Sequence, residues 1–189
     1  TAADLAKLTT ALIKNFPEHY SLYGEKYFSY NDIRQPNRNL LLWRDKSVDG
    51  VKTGHTDAAG YCLVSSALRD DMRLISVVMG ASSEEARATE SQKLLSYGFR
   101  YFETLRLYKA DETLRTVKVW GGQTDRLDLG VAEAVALTVT RGTKAELSAT
   151  LDIDGVMHAP VKRGDKLGQL KISDADGVIA ELPLIALMD

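Results

Sequence analysis

The spacing of apolar residues predicts two amphipathic helices in the first half of the chain. Over residues 1–16 the apolar positions share one helical face, formed by Leu5, Leu8, Leu12 and Phe16. Thr1 is placed to cap this helix, and Pro17 ends it. A longer helix is predicted over residues 82–102, where Ser82 opens a capping box. Its apolar stripe comprises Ala86, Leu94, Leu95 and Phe99.

Between the two helices, apolar and β-branched runs predict three strands of an antiparallel meander. The strands cover residues 48–56, 60–68 and 72–80. The short polar turn 69–71 joins the second strand to the third. The run 77–79 is apolar without alternation, which indicates a strand that is covered on both faces. We therefore expect an antiparallel sheet with helices packed against it.

The segment before this meander predicts a strand, a loop and a buried apolar run. Residues 26–30 have the composition of a strand, and Asn31-Asp32 signals a turn. Residues 34–39 are polar and contain a proline, so we expect an ordered loop there. Its two arginines and two asparagines would also suit the recognition of carboxylates and peptide groups. The apolar run 40–43 follows the loop and is expected to be buried.

The second half of the chain, from about residue 105, has no helical period and consists of short β-rich runs. Glycine-containing turn signals separate the runs at regular intervals. The predicted strands are 114–120, 134–140, 145–153, 167–172 and 178–188. The fold class is therefore α+β, with residues 1–103 as a mixed domain and residues 104–189 as a small all-β sandwich domain. His158 lies in this second domain, and we expect it to be structural.

Composition excludes several classes of function. The net charge of −2 gives no electrostatic argument for binding nucleic acid, and no apolar run approaches the roughly 20 residues that span a bilayer. The single cysteine, Cys62, cannot form an internal disulfide and is expected to be a small buried thiol. None of the three histidines has a partner at a metal-ligand spacing. We predict no metal site and no cofactor.

The candidate chemistry lies in the first strand of the meander, at Lys52-Thr53-Gly54. A cation, a hydroxyl and a bare backbone in consecutive positions could hold an anionic, extended substrate along a sheet edge. An ordinary edge strand with a surface lysine has the same three letters, so this short motif alone does not decide between the two.

Serine acyl-enzymes of the penicillin-recognising class combine three motifs, Ser-x-x-Lys, Ser-x-Asn and Lys-Thr-Gly. The chain contains no Ser-x-x-Lys. Ser29-Tyr30-Asn31 matches the second motif in letters only, because it lies inside a predicted strand about twenty residues before Lys52. The chain therefore holds one of the three parts of such a site.

A longer pattern resembles the low-molecular-mass penicillin-binding proteins, specifically the D-alanyl-D-alanine carboxypeptidases of the penicillin-binding protein five and six type. The resemblance covers essentially the whole chain. The segments that carry it are Asn37-Arg38-Asn39, Leu41-Leu42-Trp43, Val48-Asp49-Gly50-Val51-Lys52-Thr53-Gly54-His55-Thr56, Ala59-Gly60-Tyr61 and Arg73-Leu74-Ile75-Ser76-Val77-Val78-Met79-Gly80. Residues 1–103 resemble the C-terminal part of the penicillin-recognising peptidase domain, and the remainder resembles the β-rich C-terminal domain.

The resemblance implies roles for the matched positions. Lys52 is similar to the lysine whose ammonium lies in the cleft near the nucleophile, and Thr53 to the hydroxyl that binds the substrate's terminal carboxylate. Gly54 belongs to the same substrate-binding strand. The backbone of His55 corresponds to the position that supplies an oxyanion-hole N–H and accepts a substrate N–H.

Two arginines complete the implied site. Arg38 and Arg87 fall where the family has arginines near the terminal carboxylate of the substrate. From the sequence alone, Arg87 is also consistent with a surface ion pair to Glu84 or Glu90, since it lies early in the second helix.

The resemblance implies a serine-type D-Ala-D-Ala carboxypeptidase that removes the terminal D-alanine of peptidoglycan pentapeptides and is acylated by β-lactams. Its partners would be the stem peptide ending in D-Ala-D-Ala, β-lactam antibiotics and an N-terminal part of the same protein that carries the nucleophile. A periplasmic location facing the inner membrane, and a membrane-anchoring helix after Asp189, are also expected. The chain alone is predicted to be inactive.

Two alternatives stay open. The first is a β-lactamase-like hydrolase, against which the β-rich second domain argues. The second is a non-catalytic peptidoglycan-binding or scaffolding module.

Overall fold

The computed structural model describes residues 1–189, which fall into two units, Thr1–Phe102 and Glu103–Asp189. The mixed α+β composition agrees with the predicted fold class. The first unit contains α1 (Ala2–Asn15), α2 (Pro17–Tyr20), β1 (Tyr27–Tyr30), β2 (Ile33–Pro36), α3 (Leu41–Arg44), β3 (Val48–Thr56), β4 (Gly60–Arg69), β5 (Met72–Ala81) and α4 (Glu84–Tyr101). A 3₁₀ turn, Ser21–Gly24, follows α2.

The meander is confirmed, since β3, β4 and β5 form one antiparallel sheet in that order. One apolar cluster joins this sheet to α3 and α4 and includes Leu41, Leu63, Ala67 and Leu95. A second joins it to α1 and α2 and includes Tyr20, Val51 and Val64. The first half of β3 is therefore buried between helices. Its second half, from Lys52 onward, is largely exposed.

The first helix has the predicted cap but a rotated apolar face. Thr1 and Asp4 form a capping box, with the Asp4 amide donating to the Thr1 hydroxyl at 3.3 Å. Leu8, predicted to face the core, is 65% exposed. The inward stripe is instead formed by Leu5, Thr9, Leu12 and Ile13. This stripe follows the i, i+4, i+7, i+8 spacing, which leaves Leu8 at its edge. Phe16 is exposed because it lies past the last helical residue, as the C-cap.

The predicted loop before the meander is partly wrong. The strand at 26–30 is present as β1, but Arg34, Gln35 and Pro36 belong to β2, which pairs with β1 from Tyr30↔Ile33 to Tyr27↔Pro36. Asn31 and Asp32 have φ values of 48° and 60°, as a two-residue hairpin turn requires. Pro36 is accommodated because it ends a strand at the edge of a two-stranded sheet.

Two expectations for apolar runs also need correction. Leu41 and Leu42 are buried in α3 as predicted, but Trp43 is exposed. In β5, Met79 is exposed, so the strand is not covered on both faces along its whole length. A single helical turn buries only one side, which explains why the predicted continuous burial ends at Trp43.

The second long helix is confirmed with a different cap and a different stripe. Ser83, not Ser82, is the N-cap, and its hydroxyl accepts a hydrogen bond from the Ala86 amide at 3.0 Å. Leu94 is 51% exposed, contrary to the prediction. The buried positions are Arg87, Ala88, Ser91, Leu95 and Gly98. Gly98 packs directly against Leu74 of β5, where a larger side chain would collide.

The second unit is all-β, as predicted. Its strands are β6 (Phe102–Tyr108), β7 (Thr113–Trp120), β8 (Arg126–Gly130), β9 (Val135–Thr140), β10 (Ser148–Ile153), β11 (Met157–His158), β12 (Lys166–Asp174) and β13 (Gly177–Ala186). Six of them form a sheet in the order β10-β12-β13-β8-β7-β11, and β6 pairs with β9. Two apolar clusters, centred on Leu129 with Leu184 and on Leu170 with Ile172, fill this unit.

Three strands of this unit were not predicted from the sequence. β6 follows α4 without a break, β8 (Arg126–Gly130) alternates charged with apolar residues over five positions, and β11 has only two residues. The predicted strand 145–153 starts only at Ser148, since Thr143–Glu146 form a 3₁₀ turn.

Candidate active site

The exposed half of β3 runs along one edge of the three-stranded sheet. Lys52 is exposed, and its ammonium donates a hydrogen bond to the Thr53 carbonyl at 2.6 Å. Thr53 is partly buried, whereas Gly54 and His55 are exposed. A Cβ at Gly54 would meet no atom within 4 Å. Packing within the chain therefore does not require glycine at this position, and the bare backbone is open to an approaching molecule.

A groove of about 610 Å³ brings three of the six predicted site residues together. Arg38, Lys52 and Thr53 line it, and Tyr27 and Phe28 of the β1–β2 hairpin form part of its wall. No serine is among its lining residues. Glu25 also lines the groove, so its charged residues are two cations and one carboxylate. This net positive set, together with the Thr53 hydroxyl, is suited to an anionic group.

Arg87 contacts the candidate site through main-chain carbonyl groups. The ion pair with Glu84 considered from the sequence is present, but its arginine is buried rather than at the surface, with a side chain only 3% exposed. The guanidinium donates to the Gly54 carbonyl at 3.3 Å and to the Arg38 carbonyl at 3.4 Å. Glu84 lies 3.4 Å away and partly balances the charge. Arg87 thus ties the residue before His55 to the segment that carries Arg38.

Two asparagines fix the segment that carries Arg38. Asn39 is 1% exposed, and its amide nitrogen donates to the Gly50 carbonyl at 2.9 Å while its oxygen accepts from the Leu41 amide at 3.2 Å. Asn37 accepts from the Asn39 amide at 3.0 Å. From the sequence, these asparagines were expected to suit recognition of carboxylates and peptide groups. Their side chains instead bond the chain's own backbone, as asparagine often does in turns.

An aromatic contact extends the site beyond His55. Its ring lies 3.9 Å from that of Tyr61, the residue directly opposite in β4. The Arg87 guanidinium is 5.6 Å from the Tyr61 ring centroid. Tyr61 was not predicted as a site residue, although its position opposite His55 follows from the hairpin register.

A polar network at the start of β3 was also missed. Asp49 accepts hydrogen bonds from the Tyr20 hydroxyl at 2.6 Å and from Arg73 at 2.9 Å, and Arg73 also donates to Ser66 at 2.7 Å. Burial, followed by the hydrogen bond to Asp49, raises the pKa of Tyr20 to about 12. These four residues come from α2 and all three strands of the sheet.

Two family models match the chain, one for each half. Residues 1–83 match the D-alanyl-D-alanine carboxypeptidase family, and residues 102–189 match the C-terminal domain of penicillin-binding protein 5. The chain belongs to the D-alanyl-D-alanine carboxypeptidase family. The resemblance inferred from the sequence is thereby confirmed.

Individual relatives agree with this assignment. The D-alanyl-D-alanine carboxypeptidase DacC of Escherichia coli (strain K12) is 46% identical over 189 residues, which is 99% of this chain and 47% of that protein. DacA of the same strain is 44% identical over 191 residues, covering 100% of this chain and 47% of that protein. The chain spans about half the length of these curated relatives.

The fold agrees as well. Penicillin-binding protein 5 from Haemophilus influenzae superposes with a TM-score of 0.91 at 38% identity, covering 100% of this chain and 56% of that chain. This likeness confirms the predicted fold class, a penicillin-recognising domain portion followed by a β-rich domain.

Other predicted features of this carboxypeptidase-family chain lie away from the groove or fit only in part. Ser29 pairs with Arg34 inside the β1–β2 hairpin, and neither Ser29 nor Asn31 lines the groove. Cys62 is partly rather than fully buried, with its sulfur 3.6 Å from the Ala59 carbonyl oxygen. No group of three or more His, Cys, Asp or Glu residues is arranged to hold a metal ion.

Proposed function

We propose that this chain is the C-terminal part of a serine-type D-Ala-D-Ala carboxypeptidase. It would remove the terminal D-alanine from peptidoglycan pentapeptides through an acyl-enzyme. Residues 1–103 would contribute to the peptidase domain, and residues 104–189 would form the β-rich C-terminal domain. The observation that carries the proposal is the convergence of Arg38, Lys52 and Thr53 on one groove beside the exposed edge of β3.

The groove suits the end of a stem peptide. An extended peptide can add to a free strand edge through main-chain hydrogen bonds, and β3 presents such an edge over Lys52–Thr56. The terminal carboxylate of the substrate would be held by the Thr53 hydroxyl and the Arg38 guanidinium. In this arrangement the His55 amide stabilises the oxyanion that forms at the scissile carbonyl, and the His55 carbonyl accepts a substrate N–H.

The remaining chemistry requires a nucleophile from another part of the protein, since no serine lines the groove. The serine oxygen attacks the penultimate D-alanine carbonyl, the C–N bond breaks, and the terminal D-alanine leaves with a proton on its amine. Water then hydrolyses the ester and regenerates the serine. The Lys52 ammonium would stabilise negative charge beside the nucleophile. The 189 residues alone are therefore expected to be inactive.

The proposal also assigns partners and a location. The substrate would be the peptidoglycan stem peptide, and β-lactams would acylate the same serine. The protein would work in the periplasm, facing the inner membrane, where its substrate is found. No helix in the structure is both long and apolar enough to cross a bilayer. No cofactor and no nucleic acid partner are proposed.

Release of D-alanine tests the proposal in the protein that carries this chain together with its nucleophile-bearing part. We expect that protein to release D-alanine from a pentapeptide and to form a covalent adduct with a fluorescent penicillin. Lys52→Ala should abolish both reactions. Lys46→Ala removes an exposed lysine from just before β3 and should change neither.

Other results would support the alternatives. Rapid turnover of penicillin without release of D-alanine would indicate a β-lactamase-like hydrolase. Binding of peptidoglycan with neither reaction would indicate a scaffolding module. Undiminished adduct formation in Lys52→Ala would refute the role given to that lysine.

A further inference from the structure

Strand β3 contains a β-bulge at Asp49. Val48 pairs with Ala67 of β4 and Gly50 pairs with the next residue, Ser66, so Asp49 is the extra residue. From Gly50 the pairing continues without interruption to Thr56 opposite Gly60. Bulges of this kind often lie next to active sites, where they redirect the side chains that follow.

The bulge sets the phase of the residues that line the groove. In the observed register Lys52 lies opposite Val64, Thr53 opposite Leu63 and Gly54 opposite Cys62. If Asp49 were instead paired with Ser66, every later residue would slip by one position. Thr53 would then lie opposite Cys62, and Lys52 and Thr53 would exchange faces of the sheet.

The bulged residue is held by ionic and polar contacts from distant elements. The two carboxylate oxygens of Asp49 accept from the two terminal nitrogens of Arg73, at 2.9 and 2.8 Å. One of these oxygens also accepts from the Tyr20 hydroxyl at 2.6 Å. Tyr20 is 6% exposed, and Arg73 is anchored further by Ser66, the residue that faces the bulge. A forked arginine–carboxylate pair fixes orientation as well as distance.

The residue after the bulge is held in a second way. A Cβ on Gly50 would come within 2.8 Å of the Tyr20 hydroxyl, so the tyrosine lies closely against this glycine. The Gly50 carbonyl accepts from the buried Asn39 side chain at 2.9 Å. The bulge and the residue that follows it are therefore fixed before the strand reaches Lys52.

We propose that Tyr20, Asp49 and Arg73 are positioning residues that lock this bulge and thereby aim Lys52 and Thr53. Their effect on strand register does not depend on the enzymatic activity. Their effect on catalysis rests on the proposed function.

The single cysteine of the chain allows the register to be measured directly. Gly54→Cys would place a thiol opposite Cys62 in the bulged register, and the site has room for it. Thr53→Cys would face Cys62 only if the bulge were lost. Disulfide formation under mild oxidation, read by intact mass, therefore reports which register is present. The same oxidation in urea, where the strands are unfolded and unpaired, gives the reference yield of each disulfide.

In the otherwise unchanged chain we expect Gly54→Cys to cross-link and Thr53→Cys to remain reduced. Adding Arg73→Ala or Asp49→Ala should move the ratio of the two cross-links toward Thr53→Cys by about tenfold or more, as expected for losing hydrogen bonds to a charged group. Arg73→Lys should restore part of the original ratio. Arg69→Ala is the matched control, because its ion pair with Asp45, at 2.7 Å, joins β4 to the turn before β3 without touching the bulge.

The opposite result would overturn the proposal: equal cross-linking ratios in the Arg73→Ala, Arg69→Ala and unchanged backgrounds. Penicillin labelling of the longer protein separates this question from the proposed function. A shifted cross-link ratio with no labelling of the unsubstituted protein would support the lock and refute the proposed function. Normal labelling with an unshifted ratio would refute the lock alone.

Discussion

Asn39 offers a quantitative test of how the segment carrying Arg38 is held against β3. Replacing Asn39 with alanine removes the donor to the Gly50 carbonyl and the acceptor for the Leu41 amide. Leu41 is fully buried, so water cannot replace the lost partner of its amide. Among side-chain donors, the Gly50 carbonyl then keeps only a long contact with the Ser65 hydroxyl, at 3.5 Å.

These losses set the expected magnitude. A buried donor left without a partner costs about 1–3 kcal/mol, and the loss of an ordinary hydrogen bond costs about 1 kcal/mol. Asn39→Ala should therefore lower the free energy of unfolding of the first unit by about 3 kcal/mol. Asn39→Asp retains the acceptor but brings a negative charge to the Gly50 carbonyl, so it should cost at least as much.

Tryptophan fluorescence can follow the first unit separately, since each unit contains one tryptophan. Trp43 lies in α3, and Trp120 can be removed by Trp120→Phe. Urea unfolding in that background would give the difference for Asn39→Ala. The control Asn15→Ala changes an exposed asparagine and should stay within about 0.5 kcal/mol. A loss below about 1 kcal/mol for Asn39→Ala would refute the bonding scheme.

Two further predictions concern buried polar groups in the first unit. Arg87→Ala should destabilise this unit by about 3 kcal/mol, because two carbonyl groups and Glu84 lose their partner. Arg87→Lys should recover only part of the lost stability, since lysine cannot reproduce the forked donor geometry of arginine. Urea unfolding measures both variants, and equal stability of all three proteins would contradict the prediction. The pKa of Tyr20, about 12, lies above that of a free phenol near 10, so its contribution to stability is complete below about pH 10 and is lost as the pH rises through 12. The stability advantage over Tyr20→Phe should therefore shrink by about 1–2 kcal/mol across this pH range. This is less than the free energy equivalent to the whole pKa shift, because the Asp49 side chain is 38% exposed and solvent screens the interaction. A difference independent of pH would refute this linkage.

Local patterns were sufficient to predict most of the regular elements. The cap at Thr1, the β4–β5 hairpin and the β-rich second unit follow from signals within a few residues of each element. The errors occur where tertiary packing determines which residue caps a helix and which face of it is buried. Either Ser82 or Ser83 could begin α4, and only the docking of the helix on the sheet determines that Leu95, and not Leu94, faces inward.

The candidate site was likewise predicted only in part. Arg38, Lys52 and Thr53 were predicted through the resemblance, and the structure brings them to one groove. The bulge at Asp49 was not predicted, because its partners Tyr20 and Arg73 lie 29 and 24 residues away in sequence. A register shift that depends on such distant contacts leaves no periodic signal in the strand itself.

The central claim is that the groove beside β3 holds the terminal carboxylate of a D-Ala-D-Ala peptide. The most direct test compares kcat/KM for a pentapeptide with that for its C-terminal amide, using the longer protein that carries this chain. We expect the unsubstituted protein to favour the free acid by about tenfold or more, as for one hydrogen bond to a charged group. The ratio should approach one when Arg38→Ala is combined with Thr53→Val. An acid preference that survives the double substitution would contradict the claim.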